Sequence, residues 1–560
     1  MKKLIFTLLS ICAFGMEANA QVWGDYLFYS AQNTNTAYLV DNAGANFKTW
    51  TFATADKTGY SSYLLPGGTI VRAVTRTGNA TGLPGGPICG KVQKVDYSGT
   101  ITWDYVYSTT DYCTHHDICP MPNGNVLVIA YERKTAAQVA AAGCTYTGGE
   151  MWPDKIVELK PTGLNTADIV WEWHIWDHAC QNIDSTKPNY VASFVNNPQM
   201  LNINKKAAKD WIHMNGIGYN EELDQVTFTS HNQNEIYVID HSTTTAQAAT
   251  HSGGKYGKGG DFLYRWGNPG NYDAPGAIQI LKTTHDAHWA APGTFRAGEL
   301  SAYNNDGIST SVSCVDIIAA PLNANGTYDL TAGQAYTPTA ASSFRHTCAG
   351  HNSNMGGCQQ LPKGQLHVTV ALSGKMYTVD STGTQLFTKT IAGSVAKSFR
   401  YSSCYVNGTL AAKPTITAAG NVLTSSTDAT YQWYLNGVAI AGATSQSYTA
   451  TQAGNYYVQT TNSAGCESPM STAFSYINTA IGDNLLQYGI SIYPNPVNNQ
   501  LQLEMDATNF KTFVYDGMGR LLITSANNKI INTSSLTQGM YLISIQLEDG
   551  SVVKTKFMKQ

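Results

Sequence analysis

The sequence predicts an all-β chain: an N-terminal β-propeller of about six blades, then an immunoglobulin-like sandwich and a small C-terminal β-sandwich. Three observations carry that prediction. At 560 residues the chain is several times the usual ~100–200 residues of one domain. Its 51 Gly and 33 Tyr, with only 13% charged residues against the ~25% typical of soluble domains, suit strands joined by tight turns. Between about residues 23 and 407, turn-strand-turn-strand units recur, several ending in Val-Asp or Ile-Asp: GGTIVRAV at 67–74, NGNVLVIAY at 123–131, DQVTFTSHNQNEIYVID at 224–240, GELSAYNN at 298–305 and KGQLHVTVALSGKMYTVD at 363–380. The irregular spacing argues against a strict tandem array, yet a recurring turn-strand-turn-strand unit with such an ending is what propeller blades produce. No 3.6-residue period runs long enough for a helical domain, although residues 205–210 read as a short helical turn.

The elements follow in order. Residues 1–20 carry Lys2 and Lys3, an apolar stretch from Leu4 to Phe14, and Ala18-Asn19-Ala20, the pattern of a cleaved signal peptide with maturation at Gln21. The stretch is too short for a bilayer span, and no later segment is long and apolar enough for one. The propeller occupies 21–410. At Ala411-Ala412-Lys413-Pro414 the composition becomes rich in Thr, Ser and Ala, and a domain over 413–478 begins. There Trp433 precedes an Asn436-Gly437 turn and Tyr456 stands two residues before Val458, which resembles an immunoglobulin-like sandwich without its usual cysteine bridge.

The last unit, 487–560, holds in order Tyr493-Pro494-Asn495-Pro496, Asp516-Gly517-Met518-Gly519-Arg520, Gly539-Met540-Tyr541 and a basic final segment, Lys554 to Lys559. It resembles the C-terminal sorting domain of type IX secretion. That resemblance implies passage across the outer membrane by the type IX machinery, removal of the domain, and release or attachment at the surface.

The formal charge of −4 gives no general attraction to phosphate backbones or anionic lipid, which argues against nucleic acid as a partner. Of the 11 cysteines, Cys12 lies in the signal stretch, and the remaining ten suggest disulfides in an oxidising compartment. Cys113-x5-Cys119 and Cys348-x9-Cys358 match no zinc signature. Nine of the ten lie between Cys89 and Cys404, so one of them or Cys466 must cross domains or stay free.

All 13 histidines fall in the propeller region, and several stand beside Asp, Asn or Trp: His115-His116-Asp117, Asp210-Trp211-Ile212-His213-Met214-Asn215, Ser230-His231-Asn232, His285-Asp286-Ala287-His288-Trp289, and Arg345-His346 with His351. Corresponding strands of a propeller converge on its channel, so residues 100 positions apart can meet. Imidazoles act as nucleophile, acid or base near neutral pH, and several together suit transfer of an anionic group. The competing reading is a zinc or copper hydrolase built on His285-x-x-His288 and His115-His116, but these segments lack the helix that makes such pairs chelate.

HHDICPMPNGNVLVIAYE, DWIHMNGIGYNEELDQVTFTSHNQNEIYVID, FLYRWGNPGNY and THDAHW followed by YNNDG occur in the order found in arylsulfotransferases that use no nucleotide sulfate donor. The resemblance spans roughly 90–405. It implies an enzyme that moves a sulfuryl group from a phenolic sulfate to a phenol through a sulfohistidine and needs no cofactor. Carried over, the nucleophile is His285, and His116, His213 and Asn215 would bind sulfuryl oxygens or shuttle protons. Where the family has Ser-Ser-Arg or Thr-Ser-Arg, this chain has Thr229-Ser230-His231. Histidine offers fewer donors than an arginine fork and a charge that titrates, so Arg345 or Arg265 is the expected replacement clamp beside His231. Tyr219, Trp211 and Trp289 are candidates to stack on aromatic rings. The alternative is a surface-displayed propeller that captures glycan, peptide or aromatic ligands without turnover.

Overall fold

The computed structural model describes residues 21–79, 82–323, 325–476, 485, 488–516, 521–548 and 551–560. The expected signal peptide and the Gly517/Gly519 turn lie outside them. The chain is all-β, and it divides into two compact units: residues up to Thr417 with Thr424–Tyr448 and Asn455–Phe474, and Ala418–Leu423 with Thr449–Gly454 and Ser475–Gln560.

In the larger unit, six four-stranded antiparallel sheets follow one another among the described residues. The second to sixth begin with Lys57–Leu64, Tyr112–Pro120, Met214–Asn220, Thr284–Trp289 and Gly357–Leu361. In the first, the late strand Ser398–Tyr401 pairs with Tyr26–Tyr29, so the end of the propeller closes on its beginning. The leading strands of neighbouring sheets touch one another and surround the axis. Central strands such as Val126–Glu132, Gln225–Ser230 and Glu235–Asp240 are buried at every position. A strand covered on both faces loses the in-out alternation of a half-wet one, which is why these segments read as continuous apolar runs.

The Val-Asp strand ends have a local cause. In 41–45, 96–100 and 380–384, an Asp side chain accepts backbone N–H bonds from the residue four positions on, at 2.8, 2.9 and 3.0 Å, and the Gly between takes a positive φ. Aspartate side chains cap such turns and glycine supplies the left-handed residue. Helix is confined to short pieces such as Ala136–Ala141 and Ser403–Asn407. Residues 205–210 form turns and bends rather than the expected helical turn.

Trp433 is fully buried, its indole N–H donates to the Ser445 carbonyl at 2.9 Å, and its ring stacks on Tyr448. Across the strand pair, Trp433 faces Val458. The disulfide expectation holds for one pair, which joins the end of the propeller to the 413–478 segment, but not for the remaining thiols. Only Cys404–Cys466 is bonded among the described residues, and eight cysteines are free thiols. Several of them, including Cys89, Cys180, Cys348 and Cys358, sit in apolar clusters, where cysteine packs as a small hydrophobe.

In the smaller unit, Ser491–Tyr493, Gln500–Glu504 and Ile530–Asn532 form one sheet, and Phe510–Tyr515, Leu521–Ala526, Gly539–Leu547 and Val552–Lys559 another. Its strands alternate exposed and buried, as Val552–Lys559 does throughout, with the inward residues making a separate core around Val514, Ile543 and Phe557.

Candidate active site

The leading strands are irregular where they carry histidine. Pairing registers shift between Thr114 and Ile118, between Met214 and Gly216, and between His285 and His288. His116, His213 and Asp286 have φ of 51°, 55° and 61°. Left-handed backbone at non-glycine residues is costly, and bulges re-aim side chains, so this strain marks a built site.

These bulges bring the histidines together. Ring centroids lie 4.6 Å apart for His116 and His213, 5.1 Å for His213 and His231, and 5.7 Å for His231 and His285. His231 N–H also donates to the His213 carbonyl at 3.1 Å. Three sheets thus deliver four imidazoles to one place.

Each ring has a distinct electrostatic role. His285 Nδ1 lies 2.7 Å from Asn305 Oδ1 and 3.3 Å from the Thr283 carbonyl, so that nitrogen carries the proton, and Nε2 accepts the Met355 N–H at 3.0 Å. Burial, with His231 nearby, pulls its pKa down to about 3, which keeps the ring neutral. His213 moves the other way. Burial alone would lower it, but Asp210 Oδ2 at 2.6 Å from Nδ1 outweighs that and raises its pKa, favouring the imidazolium. His231, 2.9 Å from Asn232 Oδ1, is lowered by burial.

His116 is backed by a chain of groups. Its Nδ1 is 2.7 Å from His115 Nδ1, and His115 Nε2 is 2.7 Å from Asp154 Oδ1, an approach bent short of a formed hydrogen bond. Burial and the charge of Asp210 push the Asp154 carboxyl well above its usual range, while burial and His213 hold both rings well below theirs. His116 Nε2, the nitrogen that does not face His115, makes no hydrogen bond among the described residues.

Asn215 is a strut: it donates to the Thr284 carbonyl at 2.9 Å and accepts from Thr229 Oγ1 at 2.6 Å, tying the strand of His213 to that of His285. The arginines do not join the cluster. Arg345 is on the last strand of its sheet, paired with Asp316 at 2.6 and 2.9 Å, and buried Arg265 is paired with Glu235. Acidic partners within their own sheets claim both. The ring beside His231 is His213, whose imidazolium Asp210 favours. Trp211 is core, whereas Tyr219 and Trp289 line a cavity of about 730 Å³ that reaches Asp286, His288 and Lys397 but none of the four clustered histidines.

Next to the cluster, Lys397 Nζ is 2.6 Å from Asp117 Oδ2 and 2.5 Å from Asp286 Oδ1, all three buried. Asp117 and Asp286 each follow a site histidine directly, so the ammonium ties the two bulges together. Gly216 makes room for this closeness, since a Cβ there would stand 2.6 Å from Asp286 N. Gly216→Ala is therefore expected to cost about 1–3 kcal/mol in chemical denaturation through overpacking.

A family model for arylsulfotransferases (ASST) matches residues 16–310. The chain belongs to the arylsulfotransferase family. This arylsulfotransferase-family match holds His116, His213, His231 and His285 and ends before Lys397, short of the 405 expected from sequence. A second match, to the secretion system C-terminal sorting domain over 491–560, makes the protein a type IX export substrate, secreted or displayed at the cell surface. Among the described residues no helix is long and apolar enough to cross a membrane. No curated protein matches the chain. Similar solved structures include a protein of unknown function from Bacteroides caccae, at 10% identity and TM-score 0.36 over 67% of this chain and 98% of that one. Another is the Myceliophteria thermophila Cps50 (Swd1) β-propeller domain, at 9% identity and TM-score 0.33 over 76% and 94%.

Sequence reasoning found the four histidines through their Asp, Asn and Trp neighbours. It missed Asp154, Asn305, Met355 and Lys397. Asp210 lay in a quoted segment without being assigned; an Asp three residues before a site histidine was the available signal.

Proposed function

We propose that this protein is an exported aryl-sulfate sulfotransferase working through a sulfohistidine. The observation that carries the reading is the convergence of His116, His213, His231 and His285 from three sheets with opposed protonation. Neutral His285, its proton anchored on Asn305, presents Nε2 to sulfur; the N–S bond forms as the S–O bond to the aryl group breaks. His116 Nε2 gives its proton to the departing phenolate, and the same nitrogen takes the proton of the incoming phenol when that oxygen attacks sulfo-His285. His213, as imidazolium, donates to the sulfuryl oxygens where the family has arginine. The Met355 N–H must leave His285 Nε2 before attack, so substrate entry displaces that segment. Residues 413–478 serve as an immunoglobulin-like spacer, and 487–560 are removed after translocation.

The test is release of a chromogenic phenol from its sulfate ester with phenol as acceptor. Ping-pong kinetics and an acid-labile sulfo adduct on His285 are expected; no release by the wild-type protein defeats the reading for that donor class. Capture without turnover is the second reading, and the hydrogen bond closing His285 Nε2 favours it. The pH profile gives a further prediction. Because the His213 pKa is raised, a rate that needs its imidazolium persists above the usual histidine range and falls as pH rises through the raised value. In Asp210→Asn, burial is opposed only by the more distant Asp154, and the basic limb of the pH–rate profile should move to lower pH.

A further inference from the structure

We infer a zinc site on the fourth sheet's edge, formed by His178 Nδ1, His251 Nδ1 and Asp261 Oδ1 and separate from the clustered histidines. The three ligand atoms lie within 4.8 Å of one another. His178 and Asp261 are buried, while His251 is solvent-accessible and provides an entry side.

The protonation pattern points to a cation. His178 Nε2 lies 2.8 Å from the Ala248 carbonyl, which can only accept, so that nitrogen carries the proton and a neutral His178 has its lone pair on Nδ1. Yet Nδ1 faces Asp261 Oδ1 at 2.8 Å, and His251 Nδ1 faces the same oxygen at 2.7 Å. The exposed His251 can donate an Nδ1 proton to Asp261 as a neutral tautomer, but His178, its Nε2 proton held by Ala248, can meet the same oxygen only as a buried imidazolium or as the ligand of a cation. A divalent ion between two neutral Nδ1 atoms and the carboxylate satisfies all three, and a backbone carbonyl holding the other ring N–H is the usual support of a ligating histidine. Two imidazoles and one carboxylate suit zinc, with water at the fourth position.

The surroundings hold the ligands in place. His178 stacks on Trp173, whose indole N–H donates to the Gly260 carbonyl at 2.7 Å, and Gly260 N–H donates to the Thr250 carbonyl at 3.0 Å. The residues next to Asp261 and His251 are thereby locked together. A Cβ at Gly260 would lie 2.0 Å from the Ala248 oxygen and 2.5 Å from His178 Nε2, so only glycine lets this loop close on the ring. Tetrahedral zinc needs ligand atoms roughly 3.3 Å apart, an opening of about half an ångström that the exposed His251 ring can supply. The other His/Cys/Asp group, Asp286, His288 and Cys358, is not comparable: Lys397 already occupies Asp286, Gln360 holds His288 Nε2 at 2.7 Å, and Ser301 meets Cys358 Sγ at 3.0 Å.

Stripped full-length chain, dialysed against zinc chloride, should retain one equivalent by elemental analysis, and its Tm should rise by about 3 °C at zinc a hundredfold above Kd. His251→Ala and Asp261→Asn should lose both the equivalent and the shift while unfolding cooperatively, and Cys358→Ser should keep both. His251→Ala is on the surface, so its loss of zinc does not report misfolding. Absence of bound zinc in the wild type, or the same stoichiometry in His251→Ala, overturns the assignment. Sulfuryl transfer plays no part in this readout.

Discussion

His285→Ala is expected to lower phenol release from an aryl sulfate by at least about 10³-fold, with single-turnover kinetics losing the sulfo-enzyme phase. The size follows from the role: without an Nε2 lone pair there is no first step, and the other three imidazoles are placed to donate or shuttle. The substitution also leaves the Asn305 side chain and the Met355 N–H without their ring partner, which costs about 1–3 kcal/mol of stability. Activity and fold are separated by adding imidazole. The vacated space next to Asn305 admits a free ring, and partial recovery of turnover with imidazole, without a change in Tm, would report a missing nucleophile rather than a damaged propeller. Turnover equal to that of the wild type would remove His285 from the chemistry.

Much of the architecture was legible because its signals are local. The Val-Asp strand ends are capped turns, the continuous apolar runs are strands covered on both faces, and the alternating tail is a small sandwich with one wet face. The histidine cluster was legible through its motifs. What stayed hidden depends on distance in the chain. Asp154 meets His115 only once strands about forty residues apart join the third sheet, and Met355 meets His285 only when the fifth and sixth sheets come together. Arg345 was an expected substitute for the family arginine, yet its strand lies at the outer edge of its sheet, where Asp316 neutralises it. The thiols misled in a related way. An even count of cysteines in an exported chain suggests bridges, but most of these side chains point into separate apolar clusters.

Lys397 gave no signal in the sequence, and its removal is expected to have the largest effect on stability. Its two carboxylates reach the second to sixth sheets, and its own backbone leads into the first. Asp117 from the third sheet accepts the Tyr63 hydroxyl of the second at 2.8 Å and the Ile217 N–H of the fourth at 3.2 Å. Asp286 of the fifth accepts the Cys358 N–H of the sixth at 2.7 Å, and Lys397 leads directly into Ser398–Tyr401, the strand that closes the first. Lys397→Met keeps the stem but strands two buried carboxylates, a loss of about 3–5 kcal/mol, measurable by denaturant unfolding at pH 7; Lys397→Arg should retain more of it. The sign of the pH dependence distinguishes this from a packing defect. Burial alone would raise the Asp286 pKa, but Lys397 outweighs it and brings it down to about 2 from an ordinary 3.8. In the wild type, that contribution is complete above about pH 4 and is lost as pH falls toward 2. Without the ammonium, burial of Asp286 is opposed only by His288 and its folded pKa rises, so relative to the wild type Lys397→Met should lose stability as pH rises from about 2 to 4. A variant that tracks the wild-type pH profile at a constant offset would show that the ammonium is not what holds the Asp286 carboxylate ionised beside His285.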